Sequence, residues 1–567
     1  MAGAHARVTG AGRAARNVRP ARPTPGAPGT QGTPDSTGVG RSRLAEVARG
    51  STLNLAGAGI SAVTTLAVTV LVTREFSKPV AGAFFTTTSL FLIVEAVASL
   101  GAFTGLVYFL ARLRSLGAEN RIPAIMRAAV IPVIVVSLVA TAALLLAATP
   151  LSGLLLDGQL GRAGATPAAV ARALRALALT LPFATLLDTF LGASRGYRDM
   201  RPTVLIDRIA RSSAQLIGIA VAAVAGSAAL LAPLWALPYV PAGAAAWLWL
   251  RHIQRRQRER RQDAPVIPPP AVGRRLADRR LANANPRGFW RFTTPRAIAS
   301  LAQITIQRID IVLVAMIRGP AEAAVYTAAT RFLVAGQLGN GALSMAAQPR
   351  FTELFAVGNR RGANDLYQTT TGWLVLLTWP LYLLAVIYGP EVLTLFGHAY
   401  RAGDTVMVIL GLTMLLATAC GQVDMVLITT GRSSWSLANG LLAVGINVGL
   451  DLVLIPRYGI EGAAIGWSAA IVTTNLLPLA QLAAVPRLHP FGRGTLTAIA
   501  LTTASFAGAP LAVRTLLGTG GVASIAGAVA GCVLMAAGLW CFRQPLRLAV
   551  MPGFTRRQSP AAQASAR

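Results

Sequence analysis

Lysine is almost missing from this sequence: of 52 basic residues only Lys78 is not an arginine. Acid is scarce too, with 21 Asp and Glu, so charged residues make up 13% of the 567 positions where a soluble domain carries about 25%. A chain this short of charge cannot build a polar shell around its apolar runs, which excludes an ordinary soluble globular protein. Cysteine is limited to Cys420, Cys532 and Cys541, all in or beside apolar stretches, at spacings that match neither a zinc site nor a redox pair. The four histidines, His5, His252, His398 and His489, fall in tails and loops without metal-ligand spacing. There is no phosphate-cradling glycine loop and no acid–base or nucleophile constellation. No catalytic residue, metal site or cofactor is therefore expected, and the chain reads as something other than an enzyme. Residues 1–50 lack the apolar core of a signal peptide and are rich in Gly, Pro, Ala and Arg, so they are expected to form a disordered basic tail.

What the sequence has in excess is apolar length. Hydrophobic residues reach 54%, concentrated in runs such as Val130 to Ala148, Ala220 to Leu250, Trp373 to Tyr388 and Val406 to Ala419. Crossing ~30 Å of hydrocarbon takes ~20 helical residues, so such runs read as membrane spans. The expectation is an all-α polytopic membrane protein with about fourteen spans. They fall near 51–73, 79–101, 125–148, 167–192, 202–225, 227–250, 295–317, 321–346, 368–388, 404–428, 434–455, 461–485, 494–516 and 520–542. The apolar stretch 101–112 extends the second span or lies at the interface.

The net charge of +31 invites a nucleic-acid reading. Position argues against it, because the arginines sit in short loops and tails between apolar runs. With both termini on one side, that side collects 39 Lys and Arg and the opposite side 7, with 6 inside the spans. By the positive-inside rule the rich side is cytoplasmic, giving a multi-pass protein of the cytoplasmic membrane with both termini inside. The bilayer is the partner that composition dictates, and nucleic acid is not expected to be one.

The chain also repeats itself. The stretch from Thr69 to Phe85 resembles that from Asp310 to Tyr326, 241 residues later, and Asp188 to Gly196 resembles Asp424 to Arg432, 236 residues later. The shared offset implies two six-helix bundles of the same orientation, the parallel-repeat pattern of transporters that bind substrate between halves. The expected organisation is a tail at 1–50, a first bundle at 51–250 and a basic cytoplasmic linker at 251–294. A second bundle at 295–485, two accessory spans at 486–545 and a cytoplasmic tail at 546–567 follow.

One segment, Asn447 to Ala464 (NVGLDLVLIPRYGIEGAA), resembles a hallmark of polysaccharide exporters, the flippase-like members of the multidrug/oligosaccharidyl-lipid/polysaccharide exporter superfamily. Gln307 to Asp310 with Tyr326 to Arg331, and Phe396 to Tyr400, are similar to other parts of that family's pattern. In the hallmark, Ile455-Pro456 is read as ending a helix, and Gly462-Ala463-Ala464 as letting the next helix pack closely. The resemblance implies flipping of an undecaprenyl-pyrophosphate-linked oligosaccharide or related glycolipid by alternating access. A lipid-linked glycan is then the substrate, and glycan-assembly enzymes are further partners. A multidrug or cation antiporter of the same superfamily is the nearest alternative. A membrane glycosyltransferase or ligase is disfavoured by short external loops, the longest being about 18 residues around Asp157.

Charges inside spans are the residues most informative about function, because a charge at the bilayer centre costs ~2.5–3.5 kcal/mol. On the fifth span Arg208, Arg211 and Gln215 share a face, with Asp207 placed to pair with Arg211 four residues on. The seventh carries Gln303, Gln307 and Asp310 on one stripe with Arg308 adjacent, and the eighth carries Arg331 and Gln337. The candidate substrate site is Arg208, Arg211, Gln215, Gln307, Arg308, Asp310, Arg331 and Gln337, with arginines for pyrophosphate and glutamines for sugar. An ion pair of Asp310 with Arg308 or Arg331 is the competing structural role. Asp451 is read as interfacial, or else a cation or proton site, and Asp188 and Asp424 as loop-pairing groups.

The charge split generates a topology test. In a background with the native cysteines replaced by serine, Leu160→Cys should react with an impermeant thiol reagent in intact cells and Pro265→Cys should not. The reverse pattern contradicts the orientation.

Overall fold

In the computed structural model, residues 36–156, 166–262, 285–485, 487–518 and 520–547 are described. Residues 50–567 form one compact unit, and residues 1–49 another, of which only the helical backbone from Ser36 is described. Every regular element among the described residues is a helix.

The helices carrying the argument are α1 (Ser36–Glu75), α2 (Lys78–Ala98), α3 (Ala102–Ser115), α4 (Ile122–Leu156) and α5 (Pro167–Gly196). Next come α6, a π-helical stretch Thr203–Arg211 that runs into Ser212–Val224, and α7 (Tyr239–Gln262). Then follow α8 (Pro286–Arg318), α9 (Pro320–Ala356), α10 (Arg360–Ile387), α11 (Asp404–Ala419) and α12 (Val423–Thr429). The last are α13 (Ser433–Tyr458), α14 (Ile460–Ala484), α15 (Arg493–Thr503, continued by Ala504–Gly508 and Ala509–Leu517) and α16 (Gly521–Cys541). Among the described residues twelve helices are long and apolar enough to cross a membrane. The expected fifth and eighth spans, here α6 and α9, are absent from that set because their in-span polar residues lower the hydropathy. Both are nonetheless continuous helices.

Local chemistry sets the starts. Thr166 accepts from the Ala169 amide with Pro167 in the first turn, and Asn285 accepts from the Gly288 amide with Pro286 behind it. A side-chain cap followed by proline is a favoured way to open a helix.

Several expectations need correction. The first helix begins at Ser36, inside the segment read as a disordered tail; residues 1–35 lie outside the described residues. The linker at 251–294 is helical where described, because α7 continues to Gln262 and α8 starts at Pro286; residues 263–284 lie outside. The loop around Asp157 and the tail beyond Arg547 also lie outside. Stretch 101–112, by contrast, extends the second span as expected, as helix α3 after a bend at Leu100 and Gly101, whose φ angles are 51° and 65°. Pro456 does not end its helix; α13 runs on to Tyr458 and the chain turns at Gly459, at φ 60°. Proline is tolerated inside a span where neighbours satisfy the freed backbone.

The expected tenth span is broken. α11 stops at Ala419, Gly421 turns with φ 72°, and α12 restarts at Val423. At the break Tyr367 Oη donates to the Cys420 carbonyl at 2.6 Å, and the Gln422 side chain donates from Nε2 to the Asn340 carbonyl at 3.1 Å.

The two halves meet along α2, which packs against both α8 and α9. A single buried cluster joins Val72, Phe84 and Phe85 of the first half to Val314, Tyr326 and Tyr382 of the second. At the arginine-poor end Gly82 lies against Pro320 so closely that a Cβ would collide with its carbonyl. There Arg74 Nε also donates to the Leu395 carbonyl at 2.7 Å. At the basic end Tyr108 of α3 stacks on Phe292 of α8 at 4.1 Å. The accessory helices attach through α15 on α10, with Trp373 Nε1 donating to the Leu546 carbonyl at 3.1 Å.

Gly462 tests the close packing of α13 on α14, because a Cβ there would lie 2.5 Å from the Leu454 carbonyl. Gly462→Val should lower stability in detergent by about 1–3 kcal/mol, read as a lower melting temperature. Gly445→Ala, which meets open space, should leave it unchanged or raised.

Candidate functional site

The eight candidate residues separate into three groups. On α6, Arg211 is held on three sides. Its Nε donates to Asp207 Oδ1 at 2.7 Å, a second nitrogen donates to Gln215 Oε1 at 3.0 Å, and the guanidinium lies 4.8 Å from the Tyr239 ring centre. Gln215 is buried and in turn donates to the Trp235 carbonyl at 3.0 Å. The i, i+4 spacing that suggested the Asp207–Arg211 pair therefore closes as drawn, and Arg211 is engaged within the protein. Arg208, half-buried, packs beside Gly57 of α1.

The second group is Arg308 on α8 and Arg331 on α9. Each is half-buried by surface area yet surrounded by protein, and they lie within electrostatic range of one another. Neither makes a hydrogen bond or ion pair among the described residues, and the Arg331 Nε is a buried donor without a partner. The Asp310 pair considered for them does not form. Arg308 is also in range of Tyr239, the ring under Arg211, so Tyr239 links this group to the first. Along α8 the exposed residues at the helical repeat are Arg296, Ser300, Gln303 and Gln307, a polar stripe beside Arg308. Hydrocarbon does not accept such a stripe, so within a span it requires water or a polar ligand beside it. Gln337 on α9 is half-buried.

The third group turns away from the arginines. Asp310, 2% exposed, accepts from Tyr326 Oη at 2.7 Å and faces Asn447 and Asp451 of α13. Asn447 Nδ2 donates to Asp451 Oδ2 at 3.1 Å, while Oδ1 of each carboxyl has no donor. Gly466 of α14 leaves room for the Asp451 carboxyl, which a Cβ would strike. Two fully buried carboxyls in contact call for a proton or a cation between them, and the oxygen set of Asp310, Asn447 and Asp451 suits a hard cation. Asp451 is therefore buried rather than interfacial. Among the described residues no set of three or more His, Cys, Asp or Glu groups together as a metal site.

Sequence reasoning missed a further acidic group in the first half. Glu95 of α2 lies beside Asp188 of α5, with Asp207 and Arg211 in range. Asp188 thus departs from the loop-pairing role, whereas Asp424 keeps it, accepting from Ser436 of the next helix. Sequence position places Glu95 and Asp188 toward the ends of separate spans, with nothing local to pair them. A cavity of about 940 Å³ lies elsewhere, between α4 and α7, and none of the eight residues lines it.

Residues 295–453 match the family described as MatE. No curated protein matches the chain by sequence. Among solved structures it is similar to the lipid II flippase MurJ in an inward closed conformation, with TM-score 0.62 and 11% identity over 86% of this chain and 98% of that one. It is also similar to an inward-facing multidrug resistance MATE-family transporter of the MOP superfamily, at TM-score 0.57 and 15% identity over 75% and 95%. A third is a MOP superfamily transporter from Pyrococcus furiosus, described as having a binding pocket of reverse polarity, at TM-score 0.50 and 16% identity over 77% and 95%. The chain is thus a multi-pass α-helical membrane protein by the length and composition of its helices. Its fold is similar to that of these flippase and MATE-family structures, and residues 295–453 of its second half match the MatE family.

The Asp207–Arg211 contact makes a stability prediction. Side chains 25% and 15% exposed leave little water for either charge. Arg211→Ala or Asp207→Ala alone should cost about 3 kcal/mol, the low end for breaking a buried pair, while the double variant recovers much of it. Melting curves of the four proteins measure the cycle.

Proposed function

We propose that the protein flips a lipid-linked oligosaccharide or polysaccharide precursor across the cytoplasmic membrane by alternating access. The observation that carries this reading is the pair Arg308 and Arg331, guanidiniums inside spans with no acidic partner among the described residues. An anionic pyrophosphate supplies what they lack, through charge-assisted and bidentate hydrogen bonds. Arg208 would add to the same field, and Arg211, already engaged by Asp207 and Tyr239, would position Tyr239 beside Arg308. Gln307 and Gln337 offer hydrogen bonds to sugar hydroxyls, while the lipid tail stays in the bilayer. The contacts at the two ends, Gly82 on Pro320 and Tyr108 on Phe292, would open alternately. The buried Asp310–Asp451 pair is the place where a proton or cation would couple to that motion. The basic face is taken as cytoplasmic, and the repeat-related halves 51–250 and 295–485 as the two rocking bodies.

A second reading, export of cationic drugs, is favoured by one observation: Glu95, Asp188 and Asp207 gather carboxylates in the first half. Arg195 and Arg211 lie in range of these carboxylates and Arg208 in range of Arg195, so three cations face three acids there, and the positive charge without an acidic partner among the described residues is that of Arg308 and Arg331.

Export and abundance measured together separate these readings. Arg308→Ala and Arg331→Ala should abolish export of the lipid-linked glycan while membrane level stays near that of the parent. Arg→Lys at either position should restore part of it, since charge returns without the planar fork. Full export by a stable double-Ala protein contradicts the flippase reading, and a selective rise in sensitivity to cationic dyes supports the antiporter.

A further inference from the structure

The cavity of about 940 Å³ in the first half has no part in the reading above, and its shape is that of a slot in the wall of the membrane domain. Helix α5 packs against both α4 and α7, and the slot runs between those two with α5 as its floor. Its apolar depth comes from Ile131 and Ile134 of α4, Phe183 and Leu186 of α5, and the small residues Gly243 and Ala244 of α7. Gly243 sits so close to α5 that a Cβ would lie 3.1 Å from the Phe183 carbonyl, which keeps the floor flat. The volume falls within the ~300–1,000 Å³ range of small-molecule sites, larger than the gaps that side-chain packing leaves.

One end of the slot differs in chemistry from the rest. Arg127 of α4 and Arg251 and Arg258 of α7 stand there, all exposed, and Arg251 lies 3.8 Å over the Trp247 ring. The acidic lining residue, Glu119, faces the Arg114 guanidinium at 3.9 Å, so the end keeps a positive balance. This is the side of the chain that carries the basic loops. From Val240, deep in the slot, to Arg251 at its mouth, α7 rises about 16 Å at ~1.5 Å per residue. That is about half of the ~30 Å hydrocarbon thickness, the depth of a single leaflet.

We propose that this slot is a binding site for an anionic glycerophospholipid taken from the leaflet on the basic side. Its phosphate and acidic headgroup lie among Arg127, Arg251 and Arg258, with Trp247 at the glycerol level. One acyl chain fills the channel over Phe183 and Ala244 as far as the bilayer midplane. Three guanidiniums at headgroup depth favour an acidic lipid over a zwitterionic one. The apolar channel supplies the part of the affinity that does not depend on headgroup.

The test uses the purified full-length protein in detergent. Native mass spectrometry follows titration with dioleoyl phosphatidylglycerol, dioleoyl phosphatidylcholine or undecaprenyl phosphate. Phosphatidylglycerol should be retained about tenfold or more over phosphatidylcholine, as three basic groups near a headgroup imply. The triple variant Arg127→Gln, Arg251→Gln, Arg258→Gln should lose that preference. Ala244→Trp, a plug at an exposed position, should reduce retention of both phospholipids, with a melting temperature like that of the parent confirming its fold; Ala244→Leu serves as a smaller plug. Equal retention of the two phospholipids, or phosphatidylglycerol binding unchanged in both the triple variant and the plugged protein, overturns the proposal. Preferential retention of undecaprenyl phosphate that Ala244→Trp abolishes also overturns it, and reassigns the slot to the tail of a prenyl-linked substrate.

Discussion

A guanidinium placed at the centre of a span costs ~2.5–3.5 kcal/mol even on insertion scales that allow snorkelling, and six span arginines together would match or exceed the stability of a whole fold. The protein meets this constraint in two different ways. Arg211 is neutralised inside the protein by Asp207, Gln215 and the Tyr239 face. Arg308 and Arg331 keep no such partners among the described residues and stand beside the exposed polar stripe of α8. The helices that carry these residues, α6, α8 and α9, depend on their neighbours and on water to cross the bilayer at all. Two of them, α6 and α9, are the helices that fall short of span-like hydropathy. Transport, on this account, exploits what insertion makes costly: an unpaired cation in a low-dielectric span attracts an anion more strongly than the same cation in bulk water.

The internal repeat acquires a physical meaning once the halves are seen together. The copies that begin near Lys78-Pro79 and Gly319-Pro320 face one another across the molecule, with Gly82 of one against Pro320 of the other. If the two halves are related by an axis along the membrane normal, as the sequence repeat implies, these copies would meet at that axis. The absence of a Cβ at Gly82 sets how closely the two halves can come there. The same junction lies at the arginine-poor end, where Arg74 and Lys78 also reach residues 395–400 of the second half.

Much of the fold was legible because hydropathy and charge placement are local properties of the chain. Apolar runs and the loops between them located the helices, and i, i+4 spacing found the Asp207–Arg211 pair. The close packing of Gly462 followed from small residues after a turn. What stayed hidden is non-local. Asp310 and Asp451 are far apart in sequence and meet only because α8 packs against α13. Glu95 and Asp188 likewise join through α2 and α5. Assigning Asp310 to an arginine was the natural guess from neighbours along the chain, but Tyr326 and Asn447 captured the region instead. The break at Gly421 was illegible because its cost is offset at the Cys420 carbonyl by the Tyr367 hydroxyl, 53 residues from Cys420.

The availability of Arg308 and Arg331 to an anion can be measured without a lipid or a cell. Isothermal titration of the purified protein with inorganic pyrophosphate should give saturable, salt-sensitive binding, and Arg308→Ala with Arg331→Ala should remove it. Absence of pyrophosphate binding by a folded protein that takes up a cationic dye instead would contradict the account.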